Sequence, residues 1–347
     1  MDYTVSQQAA IDAAVNNKKK LFKIGGAAGT GKSTILKAIN KRIENLAVCC
    51  FCGKAASVLR AKGIHATTIH KRIYEWDEKD ECFYPVPKVD YAAFAIDEAS
   101  MVGGSIYKDL ESYGIPIIAI GDPYQLEPVS DDDINLMKEP NILLTEIHRQ
   151  AKDNPIIDLA TRIRTDAKWG LQDLDRCRVT NQHKFYDEFD WADVVLCGYN
   201  STRVGINERI RAKRGYKGLL NVGERIICLQ NDAKLKVFNG LAFEVLKIKS
   251  RESSTIWIEA LADDGTTYHD LPVWVGCFGK EKIPSWKVLR GKKGMCADYA
   301  YAITVHKSQG SEYGKVAVFD EQCKVWCPKR HRYTAVTRAI NEMRMYK

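Results

Sequence analysis

The sequence predicts an α/β protein of two domains, each built on a parallel sheet, the first interrupted by a small β-hairpin and the second by an all-β insertion. Three observations predict it. Short apolar runs alternate with helical patterns, as parallel strands and their crossover helices require. Several of those runs end in polar loops rich in glycine or acid, where such sheets carry their chemistry. Two stretches break the alternation, residues 73–91 and 215–294.

The elements follow in order. Residues 4–20 read as a helix, with Thr4 and Ser6 as candidate caps ahead of alanine-rich periodic sequence. "LFKIGG" is a strand, "TILKAINKRIEN" a helix, "LAVCCFC" a buried strand and "GKAASVLRA" a helix. "AAFAIDEAS" and "IPIIAIGDPYQL" are strands running into polar loops. These make a first domain over residues 1–150. Within it, "IYEWDEKDECFYPVPKVDY" lacks helical period, is acidic and aromatic and holds two prolines, which suits a hairpin over 73–91. The second domain comprises 151–214 and 295–347. Its first part holds a helix in "NPIIDLATRIRT", a strand in "ADVVLCGYN" and a helix in "STRVGINERIRAKRG" that Gly215 stops. Between its parts, "ERIICLQ", "LAFEVLKIK" and "TIWIEAL", with "NG" and "DDG" turns, form the insertion over 215–294.

The chain has 347 residues, 45% of them hydrophobic, enough for two cores. Its net charge of +8 favours a polyanionic partner without demanding one. The eleven cysteines show neither a disulfide framework nor paired zinc spacing, and read as reduced, mostly buried thiols. "MDYTVSQQ" is no signal peptide, and no apolar run reaches the ~20 residues of a membrane span. An intracellular, cytoplasmic protein that does not engage a membrane is expected.

The stretch "KIGGAAGTGKSTILKAI" places Gly26, Gly29, Thr30, Gly31, Lys32, Ser33 and Thr34 between a strand and a helix. This is the context of a P-loop (Walker A motif), whose backbone N–H groups cradle nucleotide phosphates. Lys32 suits the β- and γ-phosphates, and the Ser33 hydroxyl suits Mg²⁺. Asp97 and Glu98 follow an apolar strand; Asp97 fits a second Mg²⁺ contact and Glu98 fits the group that orients or deprotonates an attacking water. In "GDPYQL", Gln125 can sense the γ-phosphate and Asp122 can brace the loop.

The ordered series "GGAAGTGKST", "GKAASVLRAKGIHATTIH", "IDEASMV", "GDPYQLEPV", "LLTEIHRQ", "YAITVHKSQGSEY" and "YTAVTRA" resembles the motifs of superfamily 1 helicases, and most closely their superfamily 1B, RecD/Dda-like branch. The likeness covers nearly the whole chain. It implies two RecA-like P-loop domains that sandwich ATP and an SH3-like fold for the insertion. It makes Gln7 the adenine-reading residue and has Glu312 contact the nucleotide sugar. Arg149 and Arg338 are implied as the two arginines that reach the γ-phosphate when the cleft closes; a planar cation there stabilises charge on the transferring phosphoryl group.

For nucleic acid, the resemblance implies a single-strand track over Lys54, Thr68, His70, Asn200, Asn239, Thr304 and His306, with the Ser308-Gln309-Gly310 turn linking track to ATP. The hairpin resembles the pin that splits a duplex in this branch, with Phe83, Tyr84, Pro85 and Pro87 as its wedge; Trp76 and the same aromatics packing a plain surface hairpin remain the alternative. Phe51-Cys52 departs from the branch's Pro-Thr, which puts a threonine–phosphate contact in doubt and offers Phe51 for stacking; Glu127 stands where proline is usual. The implied activity is an ATP-dependent, Mg²⁺-requiring DNA helicase moving 5′ to 3′, a monomer acting on single-stranded and forked duplex DNA in replication, recombination or repair. Single-strand-binding or replisome proteins are its implied partners, and a phage or mobile element its implied source. An RNA helicase and a nucleic-acid-binding ATP switch that does not unwind are the alternatives.

Overall fold

The computed structural model describes residues 3–77, 82–128, 134–147, 153–232, 234–282, 284 and 293–347. The chain divides into two compact units, Met1–Asp166 and Ala167–Lys347.

The first unit opens with α1 (Val5–Val15), whose N-terminus is a capping box: the Thr4 side chain accepts from Gln7 N, and the Gln7 side chain accepts from Thr4 N. Then follow β1 (Leu21–Gly26), α2 (Lys32–Arg42), β2 (Leu46–Cys50), α3 (Gly53–Ala61), β3 (Ala66–Thr68), α4 (Ile69–Ile73), β4 (Tyr74–Asp77), β5 (Cys82–Pro85), β6 (Ala93–Asp97), α5 (Gly104–Ser112), β7 (Ile117–Gly121), β8 (Ile142–Leu144) and α6 (Pro155–Arg164). The sheet runs β3-β2-β6-β7-β1-β8, all parallel, with apolar clusters on its two faces. The boundary between units falls after α6, not at residue 150. The Arg164 guanidinium at the end of α6 lies 4.7 Å over the ring of Tyr124, a residue of this first unit.

In the second unit come β9 (Gln172–Leu174), β10 (Cys177–Thr180), α7 (Phe185–Glu188), β11 (Val194–Cys197) and α8 (Asn200–Lys213). After them stand β12 (Arg225–Cys228), β13 (Ala242–Arg251), β14 (Thr255–Ala262), β15 (Thr267–Trp274) and β16 (Met295–Tyr299). The chain ends with β17 (Ala302–Thr304), α9 (Val305–Ser308), β18 (Tyr313–Phe319), α10 (Pro328–Val336) and β19 (Ala339–Tyr346). The sheet order is β17-β11-β18-β19-β10-β9, parallel except for the β9 edge. Strands β12 to β16 close into a five-stranded barrel. The barrel therefore runs five residues past the expected end of the insertion, because "MCADY" pairs with β12 and β15 and not with the α/β sheet.

The thiols are not all reduced. Cys277 and Cys296 form a disulfide. The register that sets Trp274 opposite Cys296 brings the turn after β15 alongside β16. The other described cysteines are free, and burial pushes Cys49 up to about 11.

Helix α8 joins barrel to sheet through a polar stripe at i, i+4 and i+8. Arg203 pairs with Asp298 of β16. Asn207 accepts from Ala302 N at 2.8 Å and donates to Ala302 O at 3.1 Å. Arg211 donates to the fully buried Glu224 at 2.6 Å and lies 4.1 Å over the Tyr299 ring. Glu224 also accepts from Asn221 N at 2.8 Å. Removing one partner of such a pair strands a buried charge. Glu224→Ala should lower the stability of the second unit by about 3–5 kcal/mol in denaturant titration. The paired change Arg211→Met with Glu224→Leu should lose far less; equal losses would show that the charges are not what fastens the barrel.

Candidate nucleotide and nucleic-acid sites

The phosphate loop sits between β1 and α2. Gly29 and Gly31 have φ of 81° and 84°, a left-handed backbone that disfavours any side chain. At Gly26 a Cβ would come within 2.5 Å of Thr30 Oγ1, so the loop closes on itself only with glycine there. Thr30 Oγ1 donates to Ala27 O at 2.8 Å. The buried Gln7 donates to Thr30 O at 3.0 Å, tying α1 to the loop. Lys32 Nζ donates to Gly26 O at 2.8 Å and Ala27 O at 3.1 Å, so the ammonium lies within the loop. Ser33 and Thr34 follow in the first turn of α2, where helix N–H groups favour an anion.

Opposite lies the end of β6. Burial and then the neighbouring Glu98 charge push the Asp97 carboxyl up to about 7, while Lys32 pulls it down. Glu98 has φ 53°, a left-handed conformation uncommon for a non-glycine residue. Its Oε2 is buried with no hydrogen-bond partner. A strained residue holding an unpartnered buried carboxylate oxygen marks a functional position. The fully buried Asp122 accepts from Tyr124 N at 3.0 Å and so braces the loop that carries the buried Gln125. A glycine cradle with a lysine suits a polyphosphate. Hydroxyl and carboxylate oxygens at Ser33 and Asp97 suit a hard cation such as Mg²⁺. Arg149 lies outside the described residues.

In the second unit the buried Arg338 bonds to neutral oxygens: Thr334 O at 3.1 Å, Ser311 O at 3.1 Å and Thr337 Oγ1 at 3.3 Å. Glu312 is exposed two residues after Gly310, whose φ is 72°.

The two units share a detail that sequence reading missed. At the end of β3, Thr68 caps α4 by accepting from Lys71 N at 3.2 Å. At the end of β17, Thr304 caps α9 by accepting from Lys307 N at 3.4 Å. Both strands are sheet edges, and both turns read Thr-x-His-Lys, "TIHK" and "TVHK". The strand next to each edge leads into a helix that begins near Lys54 in one unit and at Asn200 in the other. The repetition of those four letters was the available signal. Burial lowers the proton affinity of both His70 and His306. Asn239, at the barrel turn before Gly240, accepts from Lys307 Nζ, which joins the barrel to the Thr304 turn.

The hairpin pairs β4 with β5, setting Trp76 opposite Phe83. Phe83 and Tyr84 are 56% and 48% exposed. Its base is anchored by residues that sequence reasoning did not name. Tyr74 donates to Asp109, and Tyr113 donates to Val86 O at 2.8 Å and Ile73 O at 3.1 Å. Phe51 packs its ring partly into the core of the first unit, and Cys52 stands at the N-cap of α3 without capping it.

Residues 2–182 match the family model described as an AAA domain, and 299–346 match the UvrD-like helicase C-terminal domain. The ATP-dependent RecD2 DNA helicase of Deinococcus radiodurans is 27% identical over 92% of the chain and 46% of its own length. The ATP-dependent DNA helicase dda of Enterobacteria phage T4 is 30% identical over 48% of the chain and 44% of its own. The chain thus spans about half the length of these curated relatives. The solved structure of a Bacteroides Pif1 helicase in complex with ADP-AlF3 and ssDNA superposes with a TM-score of 0.63 at 19% identity, covering 99% of this chain and 92% of that one. A family match over more than half of the chain, a fold shared from end to end and the ordered motifs converge: the chain belongs to the AAA-domain family of P-loop proteins, in the superfamily 1B, RecD/Dda-like branch.

Proposed function

We propose that the protein is an ATP-dependent DNA helicase that steps 5′ to 3′ along single-stranded DNA and opens forked duplex on its hairpin. The carrying observation is the strained Glu98, with a buried, unpartnered carboxylate oxygen, beside the buried Asp97 and the glycine-built loop of Lys32. Gln7 reads the base and holds the loop. Loop N–H groups, Lys32 and Thr34 bind phosphates, while Ser33 and Asp97 would hold Mg²⁺, which when bound supplies positive charge to the phosphate oxygens. Glu98 takes the proton of the attacking water, Gln125 senses the γ-phosphate, and Arg149 and Arg338 stabilise charge on it. Lys54, Thr68, His70, Asn200, Asn239, Thr304 and His306 guide the strand. RecD2 and dda are named ATP-dependent DNA helicases, and that supports the DNA reading.

The direct test is ATP hydrolysis with ssDNA, ssRNA or neither, together with unwinding of 5′- and 3′-tailed duplexes. We expect stimulation by ssDNA and unwinding only of the 5′-tailed substrate; stimulation by RNA alone would replace this reading with an RNA helicase. Glu98→Gln should lower turnover by about 10²–10⁴-fold with ATP binding retained. Normal turnover would remove Glu98 from the mechanism.

Replacing Phe83 and Tyr84 with alanine should abolish unwinding and leave ssDNA-stimulated hydrolysis intact. Unchanged unwinding would show that the hairpin is not the wedge.

Asp97 also makes a stability prediction for the ligand-free protein. Its folded pKa, about 7, lies above the unfolded value of about 3.9. The native state therefore holds the extra proton, and this stabilisation is complete below the unfolded value and lost as pH rises to 7. Asp97→Asn should raise Tm by a few degrees at pH 8, by less at pH 6, and abolish Mg²⁺-dependent hydrolysis. A Tm gain that does not change with pH would refute the buried-acid account.

A further inference from the structure

The connection between β18 and α10 carries none of the recognised motifs, yet it is fastened to the head of α8. The Glu321 carboxylate accepts from Gly198 N at 2.6 Å, Tyr199 N at 3.2 Å and Thr202 Oγ1 at 2.6 Å. It thereby places a negative charge at the head of α8, where it disfavours a second anion. Tyr199 donates to Gln322 O at 3.0 Å. The Trp326 indole covers Gly198, where a Cβ would meet the ring at 2.7 Å. Its ring lies 5.1 Å from that of Tyr199 and 6.0 Å from that of His306, and it stacks on His331 at 4.8 Å.

Among the side chains this clamp exposes, beside Gln322 and Lys324, are two large apolar ones. Val325 is 90% exposed and Tyr199 39% exposed. Tyr199 directly precedes Asn200 in the chain, and Val325 directly precedes Trp326, whose ring lies near that of His306. A phosphate is repelled here by Glu321, which already occupies the helix head; a base is not, since an aromatic or aliphatic face accepts any base. The cations nearest in sequence, Lys324, Lys329 and Arg330, flank the apolar residues.

We propose that Tyr199, Val325 and Trp326 form a base-stacking step, on which bases of single-stranded DNA rest while the sugar-phosphate backbone passes Asn200 and His306. The proposal rests on the reading of the chain as a single-stranded DNA motor and adds to it a place where the strand is held by its bases. Tyr199 and Val325 make the contact; Glu321 and Gly198 are positioning residues.

The test compares, by fluorescence anisotropy, the affinity for a short oligothymidylate with that for the same oligonucleotide carrying an internal abasic run. The wild-type protein should prefer the base-bearing strand by about tenfold. Tyr199→Ala should bring that preference close to one, with an unchanged salt dependence, because the number of phosphates contacted stays the same. Tyr199→Phe, which keeps the ring, should retain the preference. Val325→Ser, at a position too exposed to affect folding, should reduce it about two- to threefold. The step is overturned if Tyr199→Ala and Val325→Ser keep the wild-type preference, or if they weaken both oligonucleotides equally with a shallower salt dependence, which is the mark of a phosphate contact. Failure of the wild-type protein to bind either oligonucleotide overturns the single-stranded DNA reading and this step together.

Discussion

The first unit is organised around a carboxyl group that the fold desolvates. Asp97 ends the central strand β6, whose preceding residues are all buried, and Glu98 follows it in a left-handed conformation. Two acids side by side in a dry position repel each other, and two cations, Lys32 and more weakly Lys62, oppose them without cancelling them. Such an arrangement lowers stability by itself and is tolerated because the surrounding sheet over-determines it. It also sets what the site takes: a cation to relieve the carboxylates, and an anion to occupy the glycine loop and the start of α2. The proposed cofactors follow from that charge layout as much as from the motif. The bonds from Gln7 to Thr30 and from Tyr124 N to Asp122 hold the two loops that flank the charged centre.

In the second unit the corresponding constraint is an insertion that has to leave the sheet undisturbed. The barrel enters after α8 and returns at β17, a sheet edge. A hydrophobic seam would leave its angle free, whereas the α8 stripe fixes it atom by atom. Arg203 meets Asp298, Asn207 bonds both the amide and the carbonyl of Ala302, and Arg211 meets Glu224. Since Ala302 opens β17, the residue that receives the barrel's exit also begins the strand ending in the Thr304 cap. The Lys307–Asn239 bond closes the same circuit from the other side.

Legibility in the sequence followed the range of the interactions. The phosphate loop, both parallel sheets and the hairpin were readable because glycine spacing, strand-to-loop junctions and turn composition are local. The last barrel strand was not, because "MCADY" is an apolar run that suits either sheet and only its partners β12 and β15 decide. The α8 stripe was not legible either; its arginines and asparagine find their partners on segments that begin after the helix ends. Cys277 and Cys296 carried no local sign of pairing, since a parallel β15–β16 register brings them together.

Under the proposed function, the repeated Thr-x-His-Lys turn bears on how movement along a strand would gain direction. Each unit ends an edge strand in the same capped turn, with the same threonine bonding the same lysine amide. Two grips of equal chemistry have no built-in preference for one another, so a difference in hold has to come from elsewhere. Two sources are visible within the units. In one, the acid pair and Lys32 change their charge balance whenever nucleotide binds or leaves. In the other, Arg338 is a buried cation whose bonds go to neutral oxygens, a cost that an anionic partner would offset. Under the proposed function, the barrel and the Glu321 clamp would add contacts to the second grip. Under the proposed function the track is therefore symmetric in its turns and asymmetric in what surrounds them, and it is the surroundings that nucleotide can bias.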